Sequence, residues 1–161
     1  MNQRLTLPFY DKFFVICGGS YYNAPKDHYK VIIGYPHFDC DINIKDVYDP
    51  YEVTDAIKRL IVQLYKGKKV FIGCSSGIHG SGVFITMLVA VMLQINPTFH
   101  QAFNGDAAQY VKENYDNVTM FDDVEYLTHT EYSYCSSVIH FLNTYPLLRF
   151  LPEPVILWLF R

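Results

Sequence analysis

Apolar positions along this chain fall into short strand-like runs, one amphipathic helix and one helix that is apolar on every side. Lys12-Phe-Phe-Val-Ile-Cys17 and Lys30-Val-Ile-Ile33 are runs of β-formers, stopped by Gly18-Gly19 and by Gly34 with Pro36. Asp41-Ile-Asn-Ile44 alternates and predicts a third strand. Asp49-Pro50 supplies an N-cap with proline at the first helical position, and Val53, Ala56, Ile57, Leu60, Ile61 and Leu64 then recur at helical spacing until Gly67. Lys69-Val-Phe-Ile72, ended by Gly73, reads as a strand covered on both faces in a parallel sheet. After a polar, glycine-punctuated loop, Val83 to Leu93 is apolar all round and predicts a helix buried mid-domain. Further helices are predicted within 106–115, 122–130 and 131–143. The alternation of strands and helices makes the expected class α/β, a central, mostly parallel sheet flanked by helices, with residues 1–161 forming one domain.

Half of the 161 residues are apolar, enough for one substantial core. A net charge of −3 and a pI near 6.0 give no long-range attraction to nucleic acid or anionic lipid, so a bound anion must be held by a local site. Cys17, Cys40, Cys74 and Cys135 lack both the C-x-x-C pair and the dense spacing of a secreted scaffold, which points to a reducing cytoplasm. Asp11 and Lys12 interrupt the N-terminal apolar residues before a signal-peptide core is reached. The stretch Val138 to Phe160 is apolar but carries His140, Asn143, Arg149, Glu153 and three prolines, which argues against a continuous membrane span. Its last part, about 144–161, is expected to be a buried or partner-facing tail, with homo-oligomerisation as one use of it.

The loop carries the candidate chemistry. A strand that runs through a glycine-rich loop into a buried helix aims backbone N–H groups and the positive end of the helix dipole at one point, which suits an anion. Cys74 opens that loop, where the same field favours thiolate and makes it a candidate nucleophile. Ser75, Ser76, Gly77, Ile78, His79 and Gly80 form the candidate cradle, and Ser81, where loop meets helix, is placed to bond the sulfur or a bound oxygen.

Gly73-Cys-Ser-Ser-Gly-Ile-His-Gly-Ser-Gly82 resembles the C-x5-R-[ST]-G signature of the protein-tyrosine and dual-specificity phosphatases, with Cys74 on the nucleophile and Ser81-Gly82 on the residues after the arginine. Ser20-Tyr-Tyr-Asn-Ala24, Gly67-Lys-Lys-Val70 and Tyr110-Val-Lys-Glu-Asn-Tyr115 extend the likeness to a compact phage-encoded branch, over roughly residues 5 to 130. The resemblance implies a dual-specificity-phosphatase-like fold, Tyr21, Tyr22 and Asn23 as a wall beside the pocket, and Asp41 as the general acid, with Asp39 and Asp46 as further candidates. It also implies a host cytoplasm as the working compartment.

One departure decides how much activity carries over: the arginine position is Gly80. That arginine holds two phosphate oxygens through its planar fork, and loss of even one preorganised oxyanion donor costs about 10²–10³ in rate. His79 is a weak substitute, because its ordinary pKa of about 6.5 leaves it mostly neutral at pH 7. The expected function is therefore a catalytically degenerate phosphatase-like protein that binds a phosphorylated small molecule or phosphoprotein, in one version sequestering a nucleotide signal of host immunity. Two alternatives stand beside it. One is a working cysteine phosphatase that borrows Arg4, Arg59 or Arg149; the other is an interaction protein with a vestigial pocket and a binding tail.

Blander readings cover most remaining features. Cys17, Cys40 and Cys135 read as small hydrophobes. His28, His37, His100, His129 and His140 lack metal-ligand spacing, so no metal or cofactor is assigned. Gly73-Cys-Ser75-Ser-Gly77 also fits the serine-hydrolase elbow, but Asp122, His129 and His140 make indistinct partners for it. No G-x4-G-K-[ST] nucleotide loop is present.

Overall fold

The computed structural model describes residues 3–9, 12–35, 39–75, 79–95, 107–114 and 136–161. Five strands, β1 (Gln3–Phe9), β2 (Lys12–Ser20), β3 (Tyr29–Ile33), β4 (Ile42–Ile44) and β5 (Val70–Cys74), form one sheet in the order β1-β2-β5-β3-β4. Helices α1 (Pro50–Tyr65), α2 (His79–Ile95), α3 (Ala107–Asn114), α4 (136–144) and α5 (Glu153–Phe160) accompany it.

The sheet is mixed, where a mostly parallel one was expected. Its longest pairing, Gln3↔Gly18 through Phe9↔Lys12, is antiparallel, whereas β2, β5, β3 and β4 run parallel to one another. β1 itself went unread in the sequence. Its signal is the alternation of Leu5, Leu7 and Phe9, all buried, with exposed Arg4 and Thr6, and Pro8 is tolerated because β1 is an edge strand.

α1 forms where the sequence places it. The Asp49 carboxylate accepts the Tyr51 N–H at 2.9 Å, Pro50 occupies the first turn, and Gly67 closes the helix with φ +80°. Its buried stripe, Val53 to Leu64, shares one apolar cluster with α2 and with the Val31, Ile33, Val70 and Ile72 side of the sheet. α2 is buried along nearly its whole length, as its unbroken apolar composition requires. On the opposite side of the sheet Ile32 and Phe71 pack with Tyr21, Ala24 and Cys40, so β5 is covered on both faces.

The C-terminal residues fold back onto the same core. Leu148, Ile156 and Phe160 are buried, and Phe160 packs edge-on against Phe141 and Tyr145. Lys12 ties β2 to α5 through a 2.7 Å ion pair with Glu153. Leu147, Phe150 and Trp158 are exposed. No described helix is long and apolar enough to cross a membrane. Of the further helices expected, the first corresponds to α3 and the third in part to α4; 122–130 lies outside the described residues.

Candidate functional site

Strand order creates the site. β5 is inserted between β2 and β3, so the segments that leave all three parallel strands emerge at one carboxyl edge. Ser20 at the end of β2 is the pairing partner of Cys74 at the end of β5. The Ser20 hydroxyl donates to the Ser75 carbonyl at 2.8 Å and accepts the Tyr22 N–H at 3.4 Å, stitching the two segments together. Across the loop, the Cys74 sulfur and the Ser81 hydroxyl stand 3.4 Å apart, both buried. The strand end and the first turn of α2 are therefore in contact, and α2 starts at His79, earlier than the sequence suggested.

A helix start leaves its first N–H groups without helical partners. Gly80 and Ser81 lie in that first turn, one contact away from the thiol. Ser76, Gly77 and Ile78 lie outside the described residues, as does the His79 side chain.

Gly80 is closely packed. A Cβ at this position would sit 2.6 Å from Ile33 Cγ2, 3.2 Å from Ile33 Cβ and 3.4 Å from Cys74 Cβ. The end of β3 is packed directly against the helix start. Gly73 is similarly constrained, because its Cβ would meet the Phe71 ring at 2.5 Å and the Gly19 carbonyl at 3.0 Å.

Tyr21 is buried and Tyr22 exposed, with their rings 4.6 Å apart. The hydrogen-bonded Tyr22 hydroxyl is the main cause that holds Tyr21 above the ordinary phenol range; burial and the nearby Cys74 push the same way. Tyr21 braces Tyr22, while Asn23 is exposed beside them.

The carboxylates divide between the two edges. Asp41 precedes β4 and lies at the amino edge, where its carboxylate accepts the Lys30 N–H at 2.8 Å. Lys30 pairs with Phe71, three residues before Cys74, so Asp41 is about 10 Å down the strands and two strands across. Asp39 is exposed and also precedes β4. Asp46 follows β4 on the carboxyl edge that Cys74 occupies, with its carboxylate accepting the Tyr48 N–H at 2.9 Å. Strand direction, which spacing does not reveal, distinguishes Asp46 from Asp41.

Arg59 and Arg4 are likewise elsewhere. Arg59 donates to the Asp41 carbonyl at 3.2 Å, and Arg4 lines a recess of about 530 Å³ with Cys17, His28 and Lys69 near the amino edge. The Arg149 side chain lies outside what is described. Burial raises the Cys17 and Cys40 thiols, which keeps them protonated and poorly nucleophilic. Cys135, Asp122 and His129 lie outside the described residues, and the His140 ring lies against Tyr51 at 4.6 Å. Among the described residues no group of three His, Cys, Asp or Glu side chains is arranged to hold a metal ion. Comparison of the chain with protein-family profiles, curated proteins and solved structures finds no match.

Proposed function

We propose that the chain is a catalytically degenerate, dual-specificity-phosphatase-like domain that binds a phosphorylated ligand at the loop opened by Cys74. The observation that carries this reading is the 3.4 Å contact between Cys74 and Ser81, which closes a strand-to-helix loop at the carboxyl edge of the parallel strands. Ligands of open α/β sheets bind at that edge, where the strand order switches. The packing of Ile33 against Gly80 supports binding without turnover, since no guanidinium fork shares the loop. A nucleotide signal sequestered in a phage-infected host is the version that the sequence resemblance favours.

Calorimetric titration of the full chain with inorganic phosphate and pyrophosphate tests this. Both are expected to bind, and Ser75→Glu is expected to weaken binding at least tenfold without lowering the melting temperature. Ser75 is exposed, so a carboxylate there reaches the anion but disturbs no packing; two like charges about 4 Å apart cost about 4 kcal/mol near a protein surface. Failure of either anion to bind, or equal binding by the variant, would sink the reading. Hydrolysis of para-nitrophenyl phosphate that is lost in Cys74→Ser would establish a working phosphatase in its place.

The outward Trp158 and Phe150 favour a second reading for the C-terminal segment, association between copies of the chain. Trp158→Glu is expected to convert a dimer to monomer in sedimentation; a wild-type chain that is monomeric at high concentration removes this reading.

A further inference from the structure

The sheet face opposite α1 and α2 is covered only in part. Tyr21, Ala24 and Cys40 pack over Ile32 and Phe71, and half-buried Cys17 lies at the border of that cover. Toward β1 a recess of about 530 Å³ opens beside it, within the range of small-molecule sites. Register explains its shape. Cys17 of β2 pairs with Arg4 of β1 on one side and with Phe71 of β5 on the other, so the three side chains share this face. Val15, two residues earlier on β2, shares it too. Val15 and Cys17 therefore make a floor between Arg4 on one wall and Pro25, His28 and Lys69 on the other.

The walls differ in charge. Lys69 stands 3.6 Å from the Asp27 carboxylate, which His28 Nδ1 approaches to 2.8 Å. Arg4 is exposed and has no ion pair among the described residues. Asp27 offsets Lys69, so with histidine neutral the Arg4 guanidinium is the charge left uncompensated, in a chain whose net charge is −3. One negative group balances it, and the planar fork of arginine fits a carboxylate. The floor then continues away from the charge. Phe13, two residues before Val15 and paired with Pro8, is 72% exposed, and Val15 is 49% exposed. From the Cys17 row to the Phe13 row is about 14 Å, at about 3.4 Å per residue, the length of a medium acyl chain. A face that is cationic at one end and apolar toward the other complements an amphiphile that carries its charge on its head.

We infer that this recess binds a monocarboxylate with an extended apolar tail, its head at Arg4 and its tail over Val15 and Phe13. The site is separate from the loop opened by Cys74, so inorganic phosphate is expected not to compete for it. Calorimetric titration of the full chain with octanoate, butyrate and octanol tests the assignment. Octanoate is expected to bind about tenfold or more tightly than either, because butyrate lacks the tail and octanol lacks the charge. Arg4→Ala lowers octanoate affinity about tenfold or more, and Phe13→Ala about threefold or more, with melting temperatures unchanged because both side chains are exposed. Octanoate also slows modification of Cys17 by N-ethylmaleimide and leaves Cys40 unaffected, as read by peptide mass spectrometry. Equal affinity for octanoate and octanol, or unchanged octanoate binding by Arg4→Ala, overturns the head contact and with it the proposal. Equal affinity for octanoate and butyrate overturns the tail. Competition by phosphate, or binding that leaves Cys17 unprotected, shows that the acid sits elsewhere and overturns the site, as does a failure of octanoate to bind.

Discussion

Gly80→Ala is expected to lower the melting temperature, although alanine is the better helix former by about 1 kcal/mol. The added Cβ would stand 2.6 Å from Ile33 Cγ2 and 3.2 Å from Ile33 Cβ. Ile33 is β-branched, buried and at the end of a strand paired on both sides, so it has little freedom to move away. Overpacking of this kind costs about 1–3 kcal/mol, which for a domain of this size corresponds to roughly 2–12 °C. Ile33→Ala alone should cost about 2–5 kcal/mol. In the double variant the two costs partly cancel, because the truncated side chain makes room for the new methyl group. Thermal unfolding by circular dichroism reads all four chains, and a melting temperature raised by Gly80→Ala alone would show that Ile33 does not close this position. The same geometry predicts that Gly80→Arg alone leaves para-nitrophenyl phosphate unhydrolysed, since arginine must first place its Cβ where Ile33 stands.

Phe71→Ala carries the largest expected loss, about 3–5 kcal/mol, or roughly 6–20 °C. Phe71 is fully buried in the central strand, packs with Tyr21 and Ile32, and reaches across the backbone of Gly73. Its removal leaves a cavity directly beneath the tyrosine that braces Tyr22. A coupled test follows from the 2.5 Å approach of its ring to a Cβ at position 73. Gly73→Ala should destabilise the parent chain but cost less in the Phe71→Ala background, although the Gly19 carbonyl at 3.0 Å retains part of the penalty. Denaturant unfolding measures both, and a Phe71→Ala cost below about 1 kcal/mol would mean that the ring is not packed as described.

Much of the local structure was legible because its causes are local. The Asp49-Pro50 cap, the apolar stripe of α1 and the stop at Gly67 act within a few residues of one another. The same holds for β5, whose compact apolar run matches burial on both faces. β1 was missed because three alternating apolar residues around Pro8 are weak evidence until a partner strand is known. The contact between Cys74 and Ser81 joins the two ends of one short loop, so it is legible in the sequence, whereas strand order is not.

By itself the sequence determined α1, β5, most of α2 and where the polar loop falls, because backbone preference and hydrophobic period are properties of neighbouring residues. Only the tertiary structure decided that Ile33 occupies the space beside Gly80 and that Asp46 shares an edge with Cys74 while Asp41 does not. Those outcomes depend on strand order and direction, and the insertion of β5 between β2 and β3 joins residues that are far apart along the chain.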